Sequence, residues 1–371
     1  MGLIRLLLAC GVVFSHTSTI NGYSPLAGNL AVQCFYIISG FYMAMVLTEK
    51  YTGKGSGYLF YTNRALKIYP VYWLNLILLI LFNLVTLAWH YPGTLDFYFK
   101  YQTPSWWTLI YLIIANVVLI GLDWTFLFGI NKSGNLYFTK NFNTQKPSVY
   151  NYAFNSIAWT IGVELLFYII APWLNKRKWW LLLTFFAASL ALRLLFDFMF
   201  GDTAPWNYMF FPTQLMFFIA GMLSYKFFVD IKKIKPGKKV SVFIYGIFVA
   251  VILFNYQVFP ETYLKNIVLF ICVTCCTPIA FDLTKRSKTD RFLGNLSYPI
   301  YITQALAIRL TASKRFPLIL DRGLTTLIVV VILAVIIDKS MSVYIEKIRV
   351  KRFNKFKHQT GEPALQLAGK P

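Results

Sequence analysis

The stretch Leu3-Ile4-Arg5-Leu6-Leu7-Leu8-Ala9-Cys10-Gly11-Val12-Val13-Phe14-Ser15-His16-Thr17-Ser18-Thr19-Ile20 decides the fold class. It is an apolar run of near membrane-spanning length that holds two ionisable side chains. In a helix, the eleven residues from Arg5 to His16 make roughly three turns and rise about 16 Å, so both side chains lie on one face. With Arg5 near the inner surface of a hydrocarbon core about 30 Å thick, His16 reaches the midplane. In Val12-Val13-Phe14-Ser15 only Ser15 offers its imidazole a partner, and burying a polar group without a hydrogen bond costs roughly 2 kcal/mol or more. Other spans are expected to supply that partner. An ionisable group at such depth marks a functional site, although a structural histidine satisfied by a neighbouring helix fits the same residues.

Similar runs recur along all 371 residues. The chain is 57% hydrophobic and only 13% charged, against roughly 25% charged in soluble domains. Mean hydropathy is +0.57. The predicted class is all-α, a polytopic membrane helical bundle. Ten spans are expected: Leu3–Ile20, Asn29–Leu47, Tyr69–Trp89, Ile157–Leu174, Trp179–Phe200, Tyr208–Phe228, Val240–Phe254, Leu264–Leu283, Phe292–Leu310 and Leu324–Val343. An eleventh run, Trp106–Leu122, would leave the basic loops on opposite sides. Its paired tryptophans favour the interface, so it is read as re-entrant or interfacial. Residues 1–350 form one transmembrane domain, and 351–371 a basic, disordered tail.

The net charge of +22 does not signal nucleic acid. The basic residues sit in short segments between spans, which is the positive-inside pattern, and they place both termini in the cytoplasm. Residues 309–322 depart from it: Arg309, Lys314, Arg315 and Arg322 fall on the outer side, where an anionic partner would account for them. The five cysteines lie in apolar runs, and Cys272, Cys275 and Cys276 have no histidine or acid nearby, so they read as packing residues and no metal site is expected. The first span lacks a signal-peptide cleavage pattern.

Few residues carry chemistry. His90 and His358 lie at a span end and in the tail. Glu164, near the start of its span, is expensive at that depth unless paired or protonated. Arg64 and Lys67, three apart before Tyr69-Pro70, share a helix face suited to headgroups or phosphates.

In order along the chain these pieces resemble the acyltransferase-3 family of integral membrane O-acyltransferases. The matching stretches are Arg5 with His16, Phe35-Tyr36-Ile37-Ile38-Ser39-Gly40-Phe41, Arg64-Ala65-Leu66-Lys67, Trp159-Thr160-Ile161-Gly162-Val163-Glu164, and Gly294-Asn295-Leu296-Ser297-Tyr298-Pro299-Ile300-Tyr301. Three positions depart from the family pattern: Lys67 replaces an arginine, Gln304 stands where many members have histidine, and Gly162 precedes Val163 and Glu164.

The resemblance implies transfer of an acyl group, acetyl by family default, from cytoplasmic acyl-CoA to a hydroxyl of an envelope or exported polysaccharide. The expected location is the cell inner membrane. Acetyl-CoA is then a co-substrate, no cofactor is bound, and the partners are acyl-CoA, a glycan acceptor and the lipid bilayer. His16 and Glu164 are the catalytic candidates, His16 as the base a poorly nucleophilic hydroxyl needs. Arg5, Ser39, Arg64, Lys67, Trp159, Tyr301 and Gln304 are the substrate-binding candidates. Direct transfer and an acyl-histidine relay both fit. The competing reading is a proton-coupled transporter or flippase of a glycan or lipid-linked intermediate, against which stands the lack of a visible inverted repeat.

Overall fold

The structure is a computed structural model that describes residues 1–19, 22–99, 103–201, 205–231, 237–258, 262–312, 318 and 321–359. Among them helices dominate. Seven helical stretches are long and apolar enough to cross a membrane, as a polytopic bundle requires. They comprise α2 (Gly28–Glu49), α3 (Ser56–Ala88), α6 (Trp159–Asn175) with the turn before it, α7 (Trp179–Phe200), α9 (Lys238–Val258), α10 (Tyr263–Thr284), and a rod formed by α12 (Arg322–Ile337) and α13 (Val343–Gln359). The other three expected spans form helices that are short or more polar. α1 (Gly2–His16) has fifteen residues. α8 (Phe211–Ile231) holds Gln214 and Lys226, and α11 (Lys288–Ala312) holds Ser297, Thr303 and Gln304.

α2 is the axis of the bundle. Over its most apolar stretch 83% of the residues are buried, against 11% for α7, which therefore lies at the lipid-facing rim. Glycines set the closest contact. A Cβ on Gly221 of α8 would lie 1.9 Å from the Ile37 carbonyl oxygen, and one on Gly40 would lie 1.9 Å from that of Phe218. The two backbones touch there, and Phe218 stacks on both Tyr36 and Phe167, at 4.5 and 4.2 Å between ring centroids. Gly221→Leu is therefore expected to cost about 1–3 kcal/mol or more, because backbone cannot move aside as a side chain can. Gly246→Leu, with nothing within 4 Å, should be neutral. Thermal unfolding of the two variants in detergent checks this; equal unfolding temperatures would refute the crossing.

Three expectations need correction. The first helix ends at His16, so this residue closes α1 instead of lying inside a longer span. Thr17 Oγ1 turns back to the Val13 carbonyl at 2.9 Å as the helix stops, and Ile20 lies outside the described residues. The third helix starts well before the expected Tyr69: α3 begins at Ser56 and runs through Pro70 for 33 residues, so Arg64 and Lys67 share a helix face as expected. The tail is structured as far as Gln359: a π-helical turn, Asp338–Ser342, joins α12 to α13, which buries Phe353 and Lys357. Residues 360–371 lie outside the described residues. Arg309 donates from Nη2 to the Phe154 carbonyl at 3.0 Å and so ties α11 to the loop before α6, while its buried Nη1 has no partner among the described residues. Lys314 and Arg315 lie outside the described residues.

After the short α4 (Thr94–Phe99), the run at 106–122 folds as α5 (Trp106–Val118), thirteen residues or about 20 Å, short of the ~20 residues a crossing needs. A hairpin of β1 (Phe128–Ile130) and β2 (Leu136–Phe138) follows, antiparallel with Phe128 opposite Phe138. Leu119, at φ 69, ends α5 against α6. A Cβ on Gly162 would lie 2.4 Å from the Leu119 carbonyl oxygen. Glycine is needed there to let α6 approach this turn, two residues before Glu164.

Candidate functional site

A cavity of about 640 Å³ opens among α1, α2, α3, α6, α11 and α13. Its walls carry an unusual excess of cations. Arg5 enters from α1, and Arg64 and Lys67 from one face of α3. Among the described residues no carboxylate forms an ion pair with any of these three. Arg64 is the extreme case. It is 8% exposed, its Nε has no hydrogen-bond partner, and its guanidinium sits 5.6 Å from the centroids of both Phe60 and Tyr168. Lys67 is exposed and lines the same wall one turn from Arg64. An uncompensated buried charge costs several kcal/mol, and like charges on adjacent turns of a helix add to that cost. An anion in the cavity removes both penalties.

Glu164 also lines the cavity, half-buried, but it is held by two hydroxyls. Ser39 donates to Glu164 Oε1 at 2.6 Å and Tyr168 donates to the same oxygen at 2.5 Å. Tyr168 is one helical turn away on α6 and so shares a face with Glu164. Its ring also contacts Arg64, which links the acid to the cation through an aromatic. Tyr301 completes this wall: it accepts from Thr160 Oγ1 at 2.7 Å and donates to the Ile157 carbonyl at 3.2 Å. Tyr298 donates to the Ile68 carbonyl at 2.8 Å and pins α11 to α3 beside Lys67.

The other candidates lie elsewhere. Trp159 is buried in an aromatic cluster, 5.0 Å from Tyr208 and 5.9 Å from Phe126, and does not line the cavity. Gln304 is fully buried, also off the cavity wall, and neither end of its amide has a partner.

His16 stands apart from Glu164. It is exposed, it does not line the cavity, and among the described residues no hydrogen bond holds its imidazole. The expected partner from another span is thus absent among the described residues. The relation to Arg5 does hold. One unbroken helix carries both, so they share a face about 16 Å apart. The gap to the cavity can be read along α2. Val32 is a lining residue, and Gly28 packs on Ser15, the neighbour of His16. Four residues separate Val32 and Gly28, so about 6 Å, one helical turn of packed side chains, lies between the cavity and the level of His16.

Sequence reasoning missed several wall residues. Asp290 accepts from the backbone N–H of Gly2 at 2.7 Å and of Leu3 at 3.0 Å, and so caps α1 from the start of α11. An acid within the basic run 285–291 was the available signal. Arg349, Val350 and Phe353 come from α13, which the sequence reading gave in part to a disordered tail.

A family model described as an acyltransferase domain matches residues 1–144 and 119–338. Nodulation protein 10 of Rhizobium leguminosarum bv. viciae is 28% identical over 189 residues, 48% of this chain and 44% of that relative. The chain thus matches less than half the length of this relative. No solved structure matches.

Proposed function

The chain belongs to the acyltransferase-3 family, and from that premise we propose that this multi-pass membrane acyltransferase moves an acetyl group from cytoplasmic acetyl-CoA to a hydroxyl of an envelope or exported polysaccharide. The observation that carries the donor assignment is the trio of unpaired cations in one cavity. Acyl-CoA brings several phosphate charges on a long, narrow thioester arm. Arg5, Arg64 and Lys67 supply charge for the phosphates, with Arg64 offering the planar fork that suits them. The cavity opens at the cytoplasmic side in this reading, both termini lie in the cytoplasm, and the enzyme sits in the inner membrane.

The arm then runs along α1 from Arg5 toward His16. The exposed imidazole faces the side from which the glycan comes, and it takes the proton of the attacking hydroxyl. The hydroxyl oxygen bonds to the thioester carbonyl carbon, the C–S bond breaks, and the thiolate leaves with a proton returned to it. The layer between Val32 and Gly28 opens for the acyl end to pass. Glu164, with Ser39 and Tyr168, stays beside the cations and sets the charge of the deep end of the cavity.

The test is release of free CoA thiol by purified protein given acetyl-CoA and an isolated cell-envelope polysaccharide, read with a thiol-reactive dye. The expected result is release that requires both substrates. Absence of release, together with glycan uptake into protein-loaded vesicles, would replace this reading by the transporter.

A further inference from the structure

We propose that α13 carries a second anion seat, built on Arg349, that grips the 3′-phosphate at the nucleotide end of the acyl donor. This rests on the donor assignment made above and extends it to a helix outside the five motif stretches. The helix is positioned by the π-helical turn at Asp338–Ser342, which delivers it across the start of α3. Arg352 donates to Thr62 Oγ1 at 2.8 Å, and Phe353 meets Tyr51 edge-on at 5.8 Å. Arg349 donates from Nε to the Asn63 carbonyl at 3.0 Å. Asn63 is one residue before Arg64, so the seat adjoins the trio near the start of α3, next to the end of α2 at Lys50 and Tyr51.

The guanidinium is held but not used up. A guanidinium has five N–H donors. Nε is taken by Asn63, and Nη1 pairs with Glu346 one turn back on α13. Nη2 has no hydrogen bond among the described residues. The Arg349 side chain is 12% exposed whereas that of Glu346 is 59% exposed. The carboxylate of Glu346 can therefore swing into water, provided another anion takes its place on the largely buried guanidinium. A phosphomonoester, with a charge near −2 and three acceptor oxygens, makes a stronger pair with the same edge of the fork. Beside the seat, Tyr51, half-buried and lining the same cavity, offers a ring on which a purine can stack, with the buried Phe353 edge-on behind it. A dianionic group attached to a purine nucleoside is what this corner fits.

The experiment titrates CoA and 3′-dephospho-CoA into the full detergent-purified chain by calorimetry. The wild type should bind CoA about tenfold more tightly than the dephospho form, the usual worth of one charge-assisted contact. Arg349→Ala should abolish that ratio while leaving dephospho-CoA binding in place, and Arg349→Lys should restore part of it. Glu346→Gln frees the guanidinium and should widen the ratio, a direction that damage to the fold does not produce. Equal binding of the two ligands by the wild type, or an unchanged ratio in Arg349→Ala, overturns the seat and leaves the donor assignment standing. Failure of the wild type to bind either ligand overturns the donor assignment and the seat with it.

Discussion

His16→Ala is expected to lower acyl transfer by about 10²–10⁴-fold, the usual contribution of a positioned general base, with the KM for acyl-CoA unchanged. The split follows from where the residue lies. His16 ends α1, while Arg5, one of the cations proposed to hold the phosphates, lines the cavity about 16 Å down the same helix. Losing the imidazole removes chemistry without touching the donor's anchor. The variant also has an unusually clean control. His16 is exposed and makes no hydrogen bond among the described residues, so its replacement should shift stability by no more than about 0.5 kcal/mol. Steady-state kinetics on protein with matched unfolding temperature checks this. A rise in KM with an unchanged kcat would mean that His16 binds donor and is not the base.

Arg64→Met should act in the opposite way on two readouts. Arg64 is buried, has no carboxylate partner, and is wedged between Phe60 and Tyr168. Exchanging a poorly compensated buried charge for an apolar side chain of similar length is often neutral or stabilising by 1–4 kcal/mol. The empty protein should therefore unfold at an equal or higher temperature. Donor affinity should fall about 100-fold, because losing one partner of a buried charged contact costs roughly 2–5 kcal/mol. Such a trade of stability for binding is the signature of a functional cation. Lower stability with unchanged affinity would mark Arg64 as structural. Calorimetric CoA titration and a thermal scan of the same sample give both numbers.

Much of the architecture can be read from residues alone where a helix is apolar throughout. α7 begins and ends where hydropathy places it, Trp179–Phe200, because the basic run before it and Gly201 after it punctuate the chain. α2 and α10 fall within two residues at each end of their expected ranges. Two of the errors share one cause. A basic side chain reads as a solvated loop unless something shows that it faces a polar cavity inside the protein. This is why α3 reaches thirteen residues further toward its start than expected, carrying Arg64 and Lys67 on helix, and why α13 was assigned in part to a tail. The site was legible to the same extent. Arg5, Arg64, Lys67, Ser39, Glu164 and Tyr301 do converge on one cavity. Tyr168 was within reach, since it is four residues from Glu164 on one helix. The Ser39 contact was not, because it depends on how closely α2 and α6 pack. Nor was the separation of His16 from Glu164, which follows from where α1 stops. Trp159 and Gln304 show the limit of motif reading: both sit in matching stretches or beside them, yet they are packed away from the cavity.

The central claim is that acyl groups pass from CoA in the cationic cavity to a glycan by way of His16. Its most direct test supplies radiolabelled acetyl-CoA to membranes holding the wild type or His16→Ala at matched levels, and follows label into polymer or lipid-linked glycan. Label in the glycan with the wild type, and none with the folded variant, is the predicted result. Equal labelling by both would contradict the role of His16, and no CoA-dependent labelling by either, with acceptor present, would contradict the account as a whole.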